Sequence, residues 1–197
     1  MNAISATESL PTVQRDIWVR LETAARDRRS AMHTPVIATA DADARVMVLR
    51  EFNAASVTLR FHLDARSPKR SVIAGDPRVG VLAYDKAAGV QIRCRGHARV
   101  IVTGELVDAA WTGSAPFARR CYLGAAPGEL REGPASGLPE WIEGQQPTED
   151  QLRPARDNFA ILLVELEEID WYSLAHTGHR RAVFRRADGW VGQWLTP

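Results

Sequence analysis

The chain has 197 residues, 45% hydrophobic and 25% charged, with 25 Lys+Arg against 24 Asp+Glu. This is the make-up of one ordinary domain with a sizeable core, and the near-zero balance excludes a global field that would gather nucleic acid or a membrane surface. The two cysteines, Cys94 and Cys121, lack metal-type spacing and are too few for a disulfide scaffold, so they read as thiols in a reducing cytoplasm.

The first eighteen residues show no basic region followed by an apolar run, so no signal peptide is expected, and no stretch has the length and apolarity of a membrane span. From Thr12 to Ser30, Ile17, Leu21 and Ala24/Ala25 recur at helical spacing beside Trp18, which predicts an amphipathic helix over 12–30. "TPVIATAD" predicts a strand with a turn at Asp41 to Asp43. "ARVMVLREF" and "SVTLRFHL" are rich in branched and aromatic residues and flank a turn at Asn53 to Ala55, a hairpin signal. In "ARSPKRSVIAGDP", Ser67 is a good N-cap, Pro68 suits the first helical position, and Gly75 then Asp76-Pro77 stop a short helix. "RVGVLAYD" and "VQIRCRGHARVIV" follow as strands about a turn at Lys86 to Gly89.

"GELVDAAWTGSAPFARRCYLG" reads as helix broken around Gly113 to Pro116. Residues Ala125 to Pro154 hold five prolines and four glycines, which predicts an irregular loop or lid. "FAILLVELEEIDWYSL", "RRAVFRR" and "GWVGQWLTP" complete the strands. Six or seven strands joined by short turns, with helices at the margins, predict a mainly β (α+β) closed antiparallel barrel as one domain over 1–197.

Arg far outnumbers Lys, and Arg is the better residue for forked recognition of phosphate or carboxylate. Arg45 and Arg50 lie five apart on one predicted strand and so point to opposite faces; they are either ligand contacts or solvated strand ends. In "RSPKR", Lys69 and Arg70 oppose the dipole of the helix they open, and a phosphate held beside Ser67 reconciles that choice. His176 and His179 lie three apart, but His33, His62 and His97 fall on separate elements, so no metal site is expected. The chain has no G-x-S-x-G, P-loop or Rossmann fingerprint. Trp171, His179 and Arg181 offer an aromatic wall, a neutral donor or acceptor, and a fixed cation for a planar phosphorylated ligand.

Taken in order, "RVMVLR", "FHLDARSPK", "DPRVGVLAY", "QIRCRGHAR", "WYSLAHTGHRRAVF" and "GWVGQWLTP" resemble the pyridoxamine 5'-phosphate oxidase family of FMN-binding split barrels. The resemblance spans roughly Val36 to Ala110 and Phe159 to Pro197. It implies an FMN-binding split β-barrel, a homodimer with FMN at the subunit interface, and a small-molecule substrate; the charge balance, hydropathy and histidine spacing lead one to expect no nucleic acid, membrane or metal as partner. Carried over by position, Arg45, Ser67 and Lys69 would hold the phosphate and ribityl chain. Val46, Arg50, Phe61, His62 and Gln91 would lie against the cofactor, with Trp171 and Arg181 contributed by the other subunit.

The chain departs from the family pattern at the substrate end. Thr177 stands where the family has an Arg before His179, "FARRCY" matches the family's phosphate grip only loosely, and His62-Leu63 replace Tyr-Thr. Loss of a bidentate Arg costs a phosphorylated substrate about 2–5 kcal/mol at a desolvated site. His179, Arg50, Arg119 and Arg120 remain the candidate substrate contacts. The resemblance thus implies an FMN-dependent oxidoreductase of unassigned substrate. The alternatives are pyridoxamine 5'-phosphate oxidase itself, a non-catalytic flavin module, and a split barrel for haem or a deazaflavin.

Overall fold

The computed structural model describes residues 9–197. Residues 1–8, which carry the start of the segment read as lacking signal-peptide character, lie outside the described residues. Helix α1 spans Leu10–Arg26 and buries Val13, Ile17, Leu21 and Ala24 along one face. The Ser9 side chain caps its start. The helix ends before the predicted Ser30 because the Asp27 carboxylate accepts from the backbone N–H of Arg29, which closes an Asx turn in place of a further helical turn.

The strands are β1 Val36–Thr39, β2 Ala44–Val46, β3 Leu49–Asn53, β4 Thr58–Asp64, β5 Arg78–Asp85, β6 Val90–Ile101, β7 Phe159–Ser173, β8 Arg180–Arg185 and β9 Gly192–Leu195. All pairings are antiparallel, in the order β2-β1-β5-β6-β7-β4-β3, with β8 added to β7 and β9 to β8. The segment read as one strand, "ARVMVLREF", is two. Met47 and Val48 leave the sheet, and the chain bonds instead to 33–35 through Met47 N–H to Pro35 O and Leu49 N–H to His33 O. This break explains the barrel. β2 and β3 occupy opposite edges of the seven-strand path, yet three Cα steps of at most about 11 Å join them, so the sheet has to curl.

The register sorts the two faces. Ile37, Val81, Cys94, Ile169 and Phe184 stand opposite one another across five strands and are all buried. One residue along, Val36, Leu82, Arg93, Asp170 and Val183 form the corresponding outward row. Burial pushes the Cys94 thiol up to about 12, so it behaves as a small core hydrophobe. Helix α1 fills the barrel mouth, with Trp18 edge-on to Phe52 and Trp190. A β-bulge at Arg95/Gly96 brings the β7 backbone so close that a Cβ on Gly96 would lie 2.1 Å from the Glu165 carbonyl oxygen.

Helix α2 spans Lys69–Gly75 and α3 spans Glu105–Thr112. Beyond the expected break come α4 Pro116–Arg119 and a 3₁₀ turn over Arg120–Leu123. The stretch 125–154 is mostly irregular, although Thr148 and Gln151 build a capping box that starts α5, Glu149–Leu152. Trp111, Tyr122 and Phe159 pack together and seat α3 and the 3₁₀ turn on the outer side of β7.

Candidate functional site

Three elements converge on a cationic cradle. Arg45 on β2 faces inward, opposite Ile37, and its Nη1 donates to the hydroxyl of buried Thr39 at 2.9 Å. Its Nη2 is paired with the carboxylate of Asp43. Lys69 opens α2, and its Nζ donates to the buried Ser67 hydroxyl at 2.7 Å. Burial first, and then the Arg45 charge, hold the Lys69 pKa below the ordinary lysine value. Two cations within electrostatic reach, backed by two buried hydroxyls, form a receptor for an oxyanion. The cap differs from the sequence reading. Pro68 precedes the helix with no side-chain cap, and the Ser67 hydroxyl serves the Lys69 ammonium instead. Arg70 is exposed and turns back toward the Ala65 carbonyl.

A second group lies beside the 3₁₀ turn. Arg50 sits at the irregularity between Leu49 and Glu51 and is exposed. It makes no ion pair among the described residues. His62 points outward from β4, edge-on to Phe159 at 4.9 Å, with a buried Nε2 that has no partner. Burial, then the charges of Arg50 and Arg60, bring its pKa down to about 3, so it is a neutral imidazole at ordinary pH. Tyr122 stands within reach of the same Arg50 charge, and burial pushes its phenol upward. Phe61, on the other face of β4, lies wholly in the core, whereas Val46 is 62% exposed.

The third group occupies the outer face. Tyr84, Gln91, Tyr172 and Arg181 stand in register across β5 to β8. Arg181 forks onto buried Asp170, as near as 2.7 Å, and Arg93 binds the same carboxylate at 2.6 Å. The Asp170 bond raises the Arg181 pKa above its ordinary value. The Tyr172 hydroxyl meets His179 Nδ1 at 3.1 Å. Trp171 faces inward, 2% exposed, with its indole N–H buried and unpaired, and Ser173 on the same face repeats the pattern.

The structure therefore gathers Arg45, Ser67 and Lys69, and separately Arg50 with His62, but it does not bring Arg181 to them. Arg45 faces into the barrel and Arg181 faces out, five strand steps apart, or about 24 Å along the sheet at ~4.8 Å per step. Arg119 is buried against the Trp111 ring and held by both Glu149 oxygens, at 3.0 and 2.5 Å. Arg120 lies over Phe117 and donates to the Gln145 carbonyl. Thr39, Asp43, Asp170 and Glu149 escaped the sequence reading. Only the Asp41–Asp43 turn carried any signal of them. Among the described residues no cluster of His, Cys, Asp or Glu fits a metal ion.

Residues 16–102 match the family model described as pyridoxamine 5'-phosphate oxidase, FMN-binding domain. Over that segment the chain resembles this family. Cradle, β3 and the Arg50–His62 pair all lie inside the matched segment, whereas Asp170, Trp171 and Arg181 lie beyond it. Its fold is similar to that of a pyridoxamine 5'-phosphate oxidase-related, FMN-binding protein from Nostoc punctiforme PCC 73102. That likeness has a TM-score of 0.72 at 22% identity and covers 96% of this chain and 100% of that one. It is also similar to PhzG from Burkholderia lata 383, a structure in complex with tetrahydrophenazine-1-carboxylic acid, at TM-score 0.67 and 18% identity over 98% and 95% of the two chains. No curated protein matches. These likenesses establish the split-barrel fold, a curled antiparallel half-barrel with five helices among the described residues.

Proposed function

We propose that the protein is an FMN-binding homodimer of the cytoplasm, acting as an oxidoreductase of the pyridoxamine 5'-phosphate oxidase-related group on a small organic substrate. The observation that carries this reading is the cradle: Arg45 bonded to Thr39 and half-buried Lys69 bonded to Ser67, close enough for the charge of Arg45 to lower the Lys69 pKa, in a segment that matches an FMN-binding family model. Two such cations at close range call for a multiply charged anion, and the unpaired Trp171 N–H and the Gln91 amide are donors suited to the ring carbonyls of a flavin.

Bound FMN supplies a two-electron acceptor for hydride transfer. The chain's own residues bind and orient. Arg45, Lys69 and Ser67 hold the phosphate and the ribityl end. Arg50 presents a fixed cation beside the ring, and His62, neutral throughout the physiological range, gives or takes a hydrogen bond without exchanging a proton. Because Arg45 and Arg181 face opposite sides of one barrel, a complete site requires Arg181 of the partner subunit. Val46, Leu82 and Tyr84, 62%, 38% and 43% exposed, offer an apolar outer face for that pairing. Among the described residues no helix is long and apolar enough to cross a membrane.

Pyridoxamine 5'-phosphate is a poor substrate on this reading, because Arg119 is already neutralised by Glu149 and Thr177 has no charge to offer. FMN titration of the purified chain, followed by flavin absorbance, tests the cofactor. Protein that stays colourless with excess FMN refutes the assignment. Turnover with amine, nicotinamide or quinone donors faster than free flavin separates an enzyme from a passive carrier. Formation of pyridoxal phosphate with oxygen uptake would restore the family's own reaction.

A further inference from the structure

Arg45 already has an anion. The Asp43 carboxylate accepts from its Nη2, and among the described residues no other side chain uses that carboxylate, whereas Asp41 is spent inside the turn on the Thr39 hydroxyl at 2.7 Å and the Asp43 N–H at 3.3 Å. The two aspartates therefore have different tasks. The turn between them is held in an unfavourable form, with Ala42 at φ 64°, the left-handed region that a side chain with a Cβ rarely adopts. Asp43 stands on the solvent side of the pair, its side chain 64% exposed against 20% for Arg45. Its charge also reaches Lys69, opposing the effect of Arg45 there.

Resting on the phosphate reading of the cradle, we propose that Asp43 is a resident counter-anion that occupies Arg45 in the free protein and is displaced when a phosphate enters. An exposed carboxylate paired with one Arg contributes little to the fold, so releasing it is easy. While in place, it repels a dianion and takes up one face of the guanidinium fork. A phosphate offers about two charges and three acceptor oxygens, and it can engage Arg45, Lys69 and Ser67 together. Asp43 thus sets how tightly phosphorylated ligands are held, without touching the rest of the ligand.

The test compares FMN with riboflavin, which lacks the phosphate, on the full chain and on Asp43→Asn, with Asp43→Ala as a second variant should the first fold poorly. Flavin fluorescence quenching gives both affinities, and the thermal midpoint in inorganic phosphate gives a readout free of flavin. The proposal expects D43N to bind FMN about fivefold more tightly or better, the size of one removed like-charge contact near water. Riboflavin affinity stays unchanged, and phosphate raises the midpoint of D43N more than that of the parent chain. Equal or weaker FMN binding by D43N overturns it and makes Asp43 an orienting residue. If the parent chain binds FMN no better than riboflavin, the cradle is not a phosphate site, and the underlying reading falls with the proposal.

Discussion

Arg119 is 4% exposed, and Glu149, which accepts from both of its terminal nitrogens, is 69% exposed. A buried cation thus depends on an acid that reaches it from the solvent side, across a loop whose middle has almost no regular structure. Removing Glu149 strands the guanidinium over Trp111 with its Nε also unpaired. Glu149→Gln is expected to destabilise the protein by about 1–3 kcal/mol, the usual penalty for a buried polar group that loses its partner. Pairing it with Arg119→Met should recover much of that loss in urea unfolding, because the stranded charge is gone. An E149Q protein as stable as its parent would show that the pair holds nothing.

His62 makes acid stability predictable in sign. Its pKa is about 3 in the folded chain and near 6.5 when exposed, so below pH 6.5 the unfolded state binds a proton that the native state refuses. Stability from this group is undiminished above pH 6.5 and falls toward pH 3, by up to about 1.4 kcal/mol per pH unit. His62→Phe should therefore gain on the parent protein as the pH drops from 7 to 4 in urea titrations. A difference that does not change with pH contradicts the buried neutral imidazole.

Gly96 has no room for a side chain. A Cβ there would meet the Glu165 carbonyl oxygen at 2.1 Å, and backbone cannot swing away as a flexible side chain does. Gly96→Ala is expected to cost about 3 kcal/mol or more by overpacking the β6–β7 seam, measured as a lower unfolding midpoint.

Asp170 carries two arginines on one buried carboxylate. Asp170→Asn leaves Arg93 and Arg181 as unpaired neighbours of like charge. A stability loss of about 1–3 kcal/mol should be accompanied by weaker FMN binding, since Arg181 loses the group that aims it. Retained FMN affinity in a folded D170N protein would remove Arg181 from the cofactor site.

Leu82 lies on the outer face, away from the core. Leu82→Glu should leave the single-chain fold intact, shift sedimentation from dimer to monomer, and lower FMN affinity although the cradle is untouched. A parent protein that sediments as a monomer and still binds FMN tightly would defeat the two-subunit site.

Much of the barrel was legible because period-two alternation in "VTLRFHL" and "RVGVLAYD" reports directly which side chains enter the core. The resemblance added the chain order of Arg45, Ser67, Lys69 and Arg181. What stayed hidden was set by non-local closure. Nothing in "ARVMVLREF" announces that Met47 and Val48 leave the sheet, because their hydrogen-bond partners lie at 33–35. The same holds for Glu149, whose partner is 30 residues upstream, and for Asp43, whose carboxylate acts through a side-chain fork that no periodicity reports. The break at Met47 and Val48 also raises the strand number above the expected six or seven, because "ARVMVLREF" divides into β2 and β3, whereas β9 falls inside the expected "GWVGQWLTP" strand and pairs with β8.

Arg45 and Arg181 look out from opposite sides of the same barrel wall, and that has a genetic consequence. On the two-subunit reading, a protein crippled at Arg45 and another crippled at Arg181 should each fail alone. Co-expressed, they should form hybrids in which one pocket inherits both lesions and the other neither, and flavin should return to half of the pockets in those hybrids.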